Sequence, residues 1–138
     1  MKALTVSQPY ASMIADGKKF VENRTWDTHY RGPLAIHAGK GSSYMTAKQI
    51  RESDYPFGCV IATCSLDACI YLNWPDERII KALPAWCSYD EFLHHVHTEG
   101  PWCWVLSNVV KIDWVTIKGA QGLWNWAMTP IGDITPRF

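Results

Sequence analysis

The sequence predicts a small α+β barrel. Three observations carry that expectation. The 138 residues suffice for one domain with a real core. A hydrophobic fraction of 48% argues against disorder. Five or six short apolar or β-branched segments have short helical stretches inserted between them. Residues 1–138 are therefore expected to form a single domain, without repeats, low-complexity tracts or an interdomain linker.

Ala3–Val6 reads as the first strand. Gln8–Asp16 reads as a short helix: Ser7 is placed to cap it, Pro9 suits its first turn, and Gly17 can end it at positive φ. Such a helix is too short to stand alone, so Ala11, Met13 and Ile14 must pack. Phe20–Trp26 reads as a strand whose alternation puts Glu22, Arg24 and Trp26 on one face and Val21, Asn23 and Thr25 on the other. Pro33–Ala38 is a third strand, and Ser43–Glu52 a polar helix begun by Gly41-Ser42-Ser43. The apolar run CVIATCSL makes Gly58–Leu66 a strand. Asp76–Leu83 and Tyr89–His97 read as helices. Trp102–Ile112 reads as a long strand and Trp114–Trp126 as the end of the sheet. The tail Thr129–Phe138, with two prolines, reads as an edge segment or loose end.

Composition excludes several classes. No apolar run approaches the roughly 20 residues that span a bilayer, so no membrane partner is expected. Residues 1–19 lack a long apolar core and a small-residue cleavage site, which reads as cytoplasmic. Five cysteines with no C-x-x-C pair read as reduced, buried thiols. The net charge of zero is unevenly spread: residues 1–53 carry eight Lys/Arg against four Asp/Glu, and residues 54–138 five against nine. That allows one basic face but not a strongly basic surface, so the salt-dependent phosphate contribution is modest. It disfavours tight nonspecific duplex binding and allows recognition of a nucleotide or short single strand.

The densest motif is G-x-K-x-x-E-x-R over Gly17, Lys19, Glu22 and Arg24, at the helix-to-strand junction. Ser7-Gln8-Pro9-Tyr10 precedes it, and Tyr30-Arg31-Gly32-Pro33 and Ile36-His37-Ala38 follow. Polar groups gathered at element ends mark a site. These four ordered motifs resemble the ASCH domain (activating signal cointegrator homology), strongly over residues 3–40 and more weakly through Gly58–Leu66, Trp102–Ile112 and Gly122-Leu123-Trp124. The resemblance implies a PUA-like β-barrel with a cleft beside the first helix that binds RNA or nucleotides. Some small members remove acyl groups from N4 of modified cytidine, and others are proposed ribonucleases. In the amidohydrolase type a motif lysine, a threonine three residues on and a distant glutamate are implicated. Lys19 matches the lysine, but Glu22 stands at the threonine position.

Lys19, just past the helix end, reads either as a phosphate, carbonyl or activated-amine site or as a solvated lysine. Glu22 and Arg24 either flank a ligand or form a structural ion pair. A carboxylate can accept from an exocyclic amine, and an arginine fork suits phosphate or a base edge. Tyr10, Trp26 and Trp124 are candidate stacking surfaces, worth about 1–3 kcal/mol per base, or core aromatics. Gln8 can read a base edge or cap its own helix, and Gln121 and Asn125 can hydrogen-bond a base edge or belong to a turn around a core tryptophan. His37 reads as a hydrogen-bonded structural histidine before a catalytic one. Lys40, with the backbone of residues 41–43 at a helix start, can hold a phosphate. No cofactor or metal site is expected: His94, His95 and His97 lack a carboxylate–histidine motif.

The leading expectation is recognition of a base or short single-stranded RNA by Gln8, Tyr10, Lys19, Glu22, Arg24, Trp26 and Trp124. His37, Lys40 and Gln121 are further binding candidates. The alternative is a small hydrolase on a modified nucleobase, or a ribonuclease, with Lys19 as base or nucleophile and Glu22 as general acid/base. A protein-interaction module exposing Trp74 or Trp86 is a third class.

Overall fold

The first strand, β1 (Lys2–Val6), is buried at Ala3, Leu4 and Val6. In the computed structural model, which describes residues 1–52 and 54–127, the order continues as α1 (Tyr10–Ala15), β2 (Val21–Arg24), β3 (Gly32–Ala38) and α2 (Ala47–Glu52). β4 (Cys59–Tyr71), α3 (Asp76–Ala82), α4 (Tyr89–His94), β5 (Trp102–Thr116) and β6 (Leu123–Asn125) complete it. The strands are hydrogen-bonded in the order β2-β5-β4-β3-β1-β6. Six strands and short inserted helices make this the α+β, PUA-like class that the sequence predicts. The tail Thr129–Phe138 lies outside the described residues.

Two compact units share the long strands β4 and β5. The first takes in Met1–Lys18, Pro33–Cys64 and the chain from Asn108. Here β1 runs parallel to β3, pairing Thr5 with His37, and antiparallel to β6, pairing Ala3 with Trp124. Ala3, Ala35, Val60, Ile112 and Trp126 form a core cluster in it. The second takes in Lys19–Gly32 and Ser65–Ser107. Its β2 is antiparallel to β5, with Val21 opposite Val105 and Glu22 opposite Trp104. Val21, Ile70, Phe92, Cys103 and Val105 belong to its core.

α1 buries Ala11 and Ile14, the packing its six residues require. It ends in a Schellman motif: Gly17 N–H donates to Ile14 O (3.0 Å) and Lys18 N–H to Met13 O (2.9 Å), with Gly17 at φ +76°. At the other end the expected Ser7 cap is replaced. The buried Gln8 side chain accepts from Ser12 N–H at 3.0 Å and donates to Ser12 Oγ and Pro56 O. Its longer side chain reaches a full turn ahead and ties the helix to the segment before β4.

Most elements differ from their predicted spans; of the expected Trp114–Trp126, Trp114–Thr116 belongs to β5 and only Leu123–Asn125 forms β6, while four other differences have a local cause. α2 starts at Ala47 because Thr46 and Gln49 form a reciprocal capping box, Gln49 N–H to Thr46 Oγ1 (3.1 Å) and Thr46 N–H to Gln49 Oε1 (2.9 Å). β4 runs five residues past Leu66 because Asp67 is satisfied in place, accepting from Ser65 Oγ (2.7 Å) and Trp86 Nε1 (2.8 Å). β5 continues to Thr116, with Asn108 at a left-handed φ of +51°. α4, capped by Ser88, stops at His94, where the next ring turns onto Phe20 at 4.1 Å. All five cysteines are buried, and none is in a disulfide. Among the described residues no helix is long and apolar enough to cross a membrane.

Candidate functional site

In the second unit, β2 begins just after the α1 stop and delivers the motif side chains. Lys19 Nζ donates to the Val21 carbonyl and sits 3.2 Å from Glu22 Oε1. The other oxygen, Glu22 Oε2, accepts from Arg24 Nη2 at 2.9 Å. Lys19 is 2% exposed and Glu22 7%, whereas the Arg24 side chain is 22% exposed. The trio is thus layered: a buried cation, a carboxylate engaged on both oxygens, and a guanidinium at the solvent end. Lys19 is not a solvated lysine at a helix end. Trp26 lies past the end of β2, where the chain bends. Its half-buried ring meets Trp104 edge-on at 4.7 Å, and its carbonyl accepts from Trp104 Nε1 instead of a ladder partner.

Burial pushes the Lys19 amine below the ordinary lysine range, and the Glu22 carboxylate pulls it part of the way back. Asn23, on the other face of β2, donates to His97 O (2.7 Å) and accepts from Gly100 N–H (2.8 Å), fixing the turn after α4. His95 Nε2 accepts from Phe20 N–H. Burial holds both His95 and His97 below the usual imidazole value; each also pays for nearby positive charge, His97 and Lys19 for the first, Lys19 for the second. The unfolded chain therefore takes up these protons near pH 6.5 and the folded chain only at lower pH. Stability from this pair is full above about pH 6.5 and is lost as pH falls below it. Urea titrations between pH 7.5 and 5 are expected to show this loss, and a shallower one in His95→Gln. Identical pH dependence in the two proteins would contradict it.

The first unit holds a different group. His37 is 2% exposed, with Nε2 2.7 Å from Ile117 O and Nδ1 3.2 Å from Thr5 Oγ1. A carbonyl only accepts, so Nε2 carries the proton, and Thr5 donates to Nδ1. Trp124 Nε1 in turn donates to Thr5 Oγ1 (3.1 Å), and its ring stands edge-on to His37 at 5.4 Å. Both ring nitrogens are occupied, which fits the structural-histidine reading. Gly119 lies against this network: a Cβ there would sit 2.6 Å from Thr5 Oγ1 and 2.7 Å from the His37 ring. Thr5, His37, Lys40, Lys118, Gly119 and Gln121 line a pocket of about 620 Å³. Lys40 therefore shares a pocket wall with His37. It does not lie at a helix start, because residues 41–43 precede α2 by a turn. Gln8 is 0% exposed and committed to Ser12 and Pro56. Tyr10 is half-buried, its ring 5.6 Å from exposed Tyr44.

The family model for the ASCH domain matches residues 4–116, which contain Lys19, Glu22 and Arg24 and, of the other group, Thr5, His37 and Lys40. The chain belongs to the ASCH domain family. It is also 33% identical over 81 residues to activating signal cointegrator 1 of Mus musculus and of Homo sapiens. Each match covers 49% of this chain and 14% of the relative, so the chain spans a small part of either protein's length.

Within this ASCH domain, sequence reasoning paired Glu22 with Arg24 and missed three residues of the other group. Lys118 sits in no motif, Thr5 reads as an ordinary strand residue, and nothing local in the sequence sets Gly119 against a ring. The β1–β3 register that sets Thr5 opposite His37 is the signal that unites them. Of the tryptophans expected on an interaction face, Trp74 lies under the Arg78 guanidinium at 4.0 Å. Trp86 is 45% exposed, with its indole N–H held by Asp67. Among the described residues no cluster of three His, Cys, Asp or Glu side chains forms a metal site.

Proposed function

We propose that this ASCH domain binds RNA or nucleotides, holding a base or a short single-stranded RNA, with Arg24 as a principal contact. The layered trio carries the reading: one Glu22 oxygen holds one end of a guanidinium that still reaches solvent. A guanidinium anchored at one nitrogen loses less freedom on binding, and its planar fork suits phosphate, a base edge or a base face. Glu22 and Lys19 act from behind, Lys19 neutralising the carboxylate oxygen that Arg24 does not use. Half-buried Trp26, two residues on, supplies an aromatic surface for an unstacked base.

Arg24→Gln is expected to weaken binding of a short single-stranded RNA about tenfold and to reduce the salt slope by about one. Arg24→Lys should recover the salt slope more than the affinity, because it restores charge without the fork. Equal RNA affinity for wild type and Arg24→Gln would reject the assignment.

The lowered Lys19 pKa favours a second reading, a hydrolase that uses a neutral amine on a modified nucleobase. Turnover of N4-acylated cytidines, seen by mass spectrometry and lost in Lys19→Ala, would promote it over binding alone.

A further inference from the structure

The pocket of the first unit has the composition of an anion site. Lys40 and Lys118 are exposed and come from different segments, after β3 and after β5. Both line the same pocket of about 620 Å³, and among the described residues no aspartate or glutamate lines it. Gln121 and the Thr5 and Thr116 hydroxyls add neutral hydrogen-bonding groups to its wall. The size falls within the range of small-molecule sites.

The Lys40 stem is placed by a built contact. Gly58, at φ +71°, leaves room for the Lys40 stem: a Cβ there would stand 3.1 Å from Lys40 Cε. Lys118 is flanked by Ile117, whose carbonyl is bonded to His37, and by Gly119, which lies against the same ring. The pocket wall thus carries two cations, with no acidic residue among its described lining.

We infer that this pocket is a phosphomonoester subsite, taking the phosphate of a nucleoside monophosphate. Two lysine charges match the phosphomonoester dianion that prevails above its second pKa of about 6. The ligand class rests on the nucleotide-binding reading above, but the residues are different and so is the test.

Calorimetric titration of the whole chain with adenosine and cytidine 5′-monophosphates, the two nucleosides and inorganic phosphate tests it. The monophosphates are expected to bind at least about tenfold tighter than the nucleosides, as one charge-assisted contact provides. Inorganic phosphate should compete, and affinity should fall as pH drops below about 6. Lys40→Gln/Lys118→Gln should abolish the preference with an unchanged circular dichroism spectrum, because both side chains are exposed. Equal binding of nucleoside and nucleotide would overturn the inference, as would a preference that survives the double substitution. If Arg24-dependent RNA binding persists in that case, the subsite alone fails. If lysine-dependent phosphate binding is found without RNA binding, the RNA reading fails and the subsite stands.

Discussion

Glu22→Gln is expected to cost about 3–5 kcal/mol of folding stability, the usual result of removing one partner of a buried charge pair. Lys19 is 2% exposed, and the Glu22 carboxylate is the anion that faces its ammonium at 3.2 Å. The amide substitution preserves shape and removes the charge, leaving a desolvated cation beside the partly buried Arg24. Against a typical total of about 5–15 kcal/mol, such a loss moves the urea midpoint far down. Charge reversal by Glu22→Lys would crowd a third cation into the same place, so it would test folding before it tested binding. The pH dependence gives the mechanism away. Lys19 has a folded pKa below its unfolded value, so stability rises as pH climbs from the folded value towards about 10.5. Removing Glu22 removes the main influence that raises the Lys19 pKa, which widens that window. The Glu22→Gln defect should therefore shrink at pH 10 relative to pH 7. Adding Lys19→Met to Glu22→Gln should recover much of the loss at neutral pH, as coupled neighbours do. A defect that is pH-independent and purely additive with Lys19→Met would contradict the buried-pair account.

Gly119→Ala is the second large effect. The new methyl would stand 2.6 Å from Thr5 Oγ1 and 2.7 Å from His37 Cε1 and Nδ1, closer than carbon atoms approach. His37 cannot retreat without giving up its bond to Ile117 O, nor Thr5 without leaving Trp124 Nε1. Overpacking of this kind costs about 1–3 kcal/mol. Gly41→Ala is the control, because a Cβ at Gly41 meets nothing within 4 Å. Thermal melts should show a drop of several degrees for Gly119→Ala and little change for Gly41→Ala. Equal melting temperatures for the two variants would mean that the loop yields and the His37 network does not fix it.

Local chemistry was the part of this molecule that could be read from the chain. Gly17 announced the end of α1 because a Schellman stop needs a left-handed residue. The strand period placed Glu22 and Arg24 on one face, and they are ion-paired. Long-range consequences were hidden. Nothing near Lys19 in sequence says that it is buried; burial comes from tertiary packing, which no local pattern encodes. Nor does any motif join Lys118 to Lys40. They meet through a parallel β1–β3 pairing and a histidine bond that spans 80 residues. β4 outran its apolar pattern because Asp67 is satisfied inside the sheet, so hydropathy alone ended it early.

The most direct test of RNA recognition is an NMR titration of the whole chain with a short single-stranded RNA, following backbone amides and arginine side chains. The account predicts saturable shifts that include the Arg24 guanidinium and the amides of residues 19–26, and that weaken in Arg24→Gln. A spectrum unmoved by RNA, or shifts that leave residues 19–26 untouched, would contradict it.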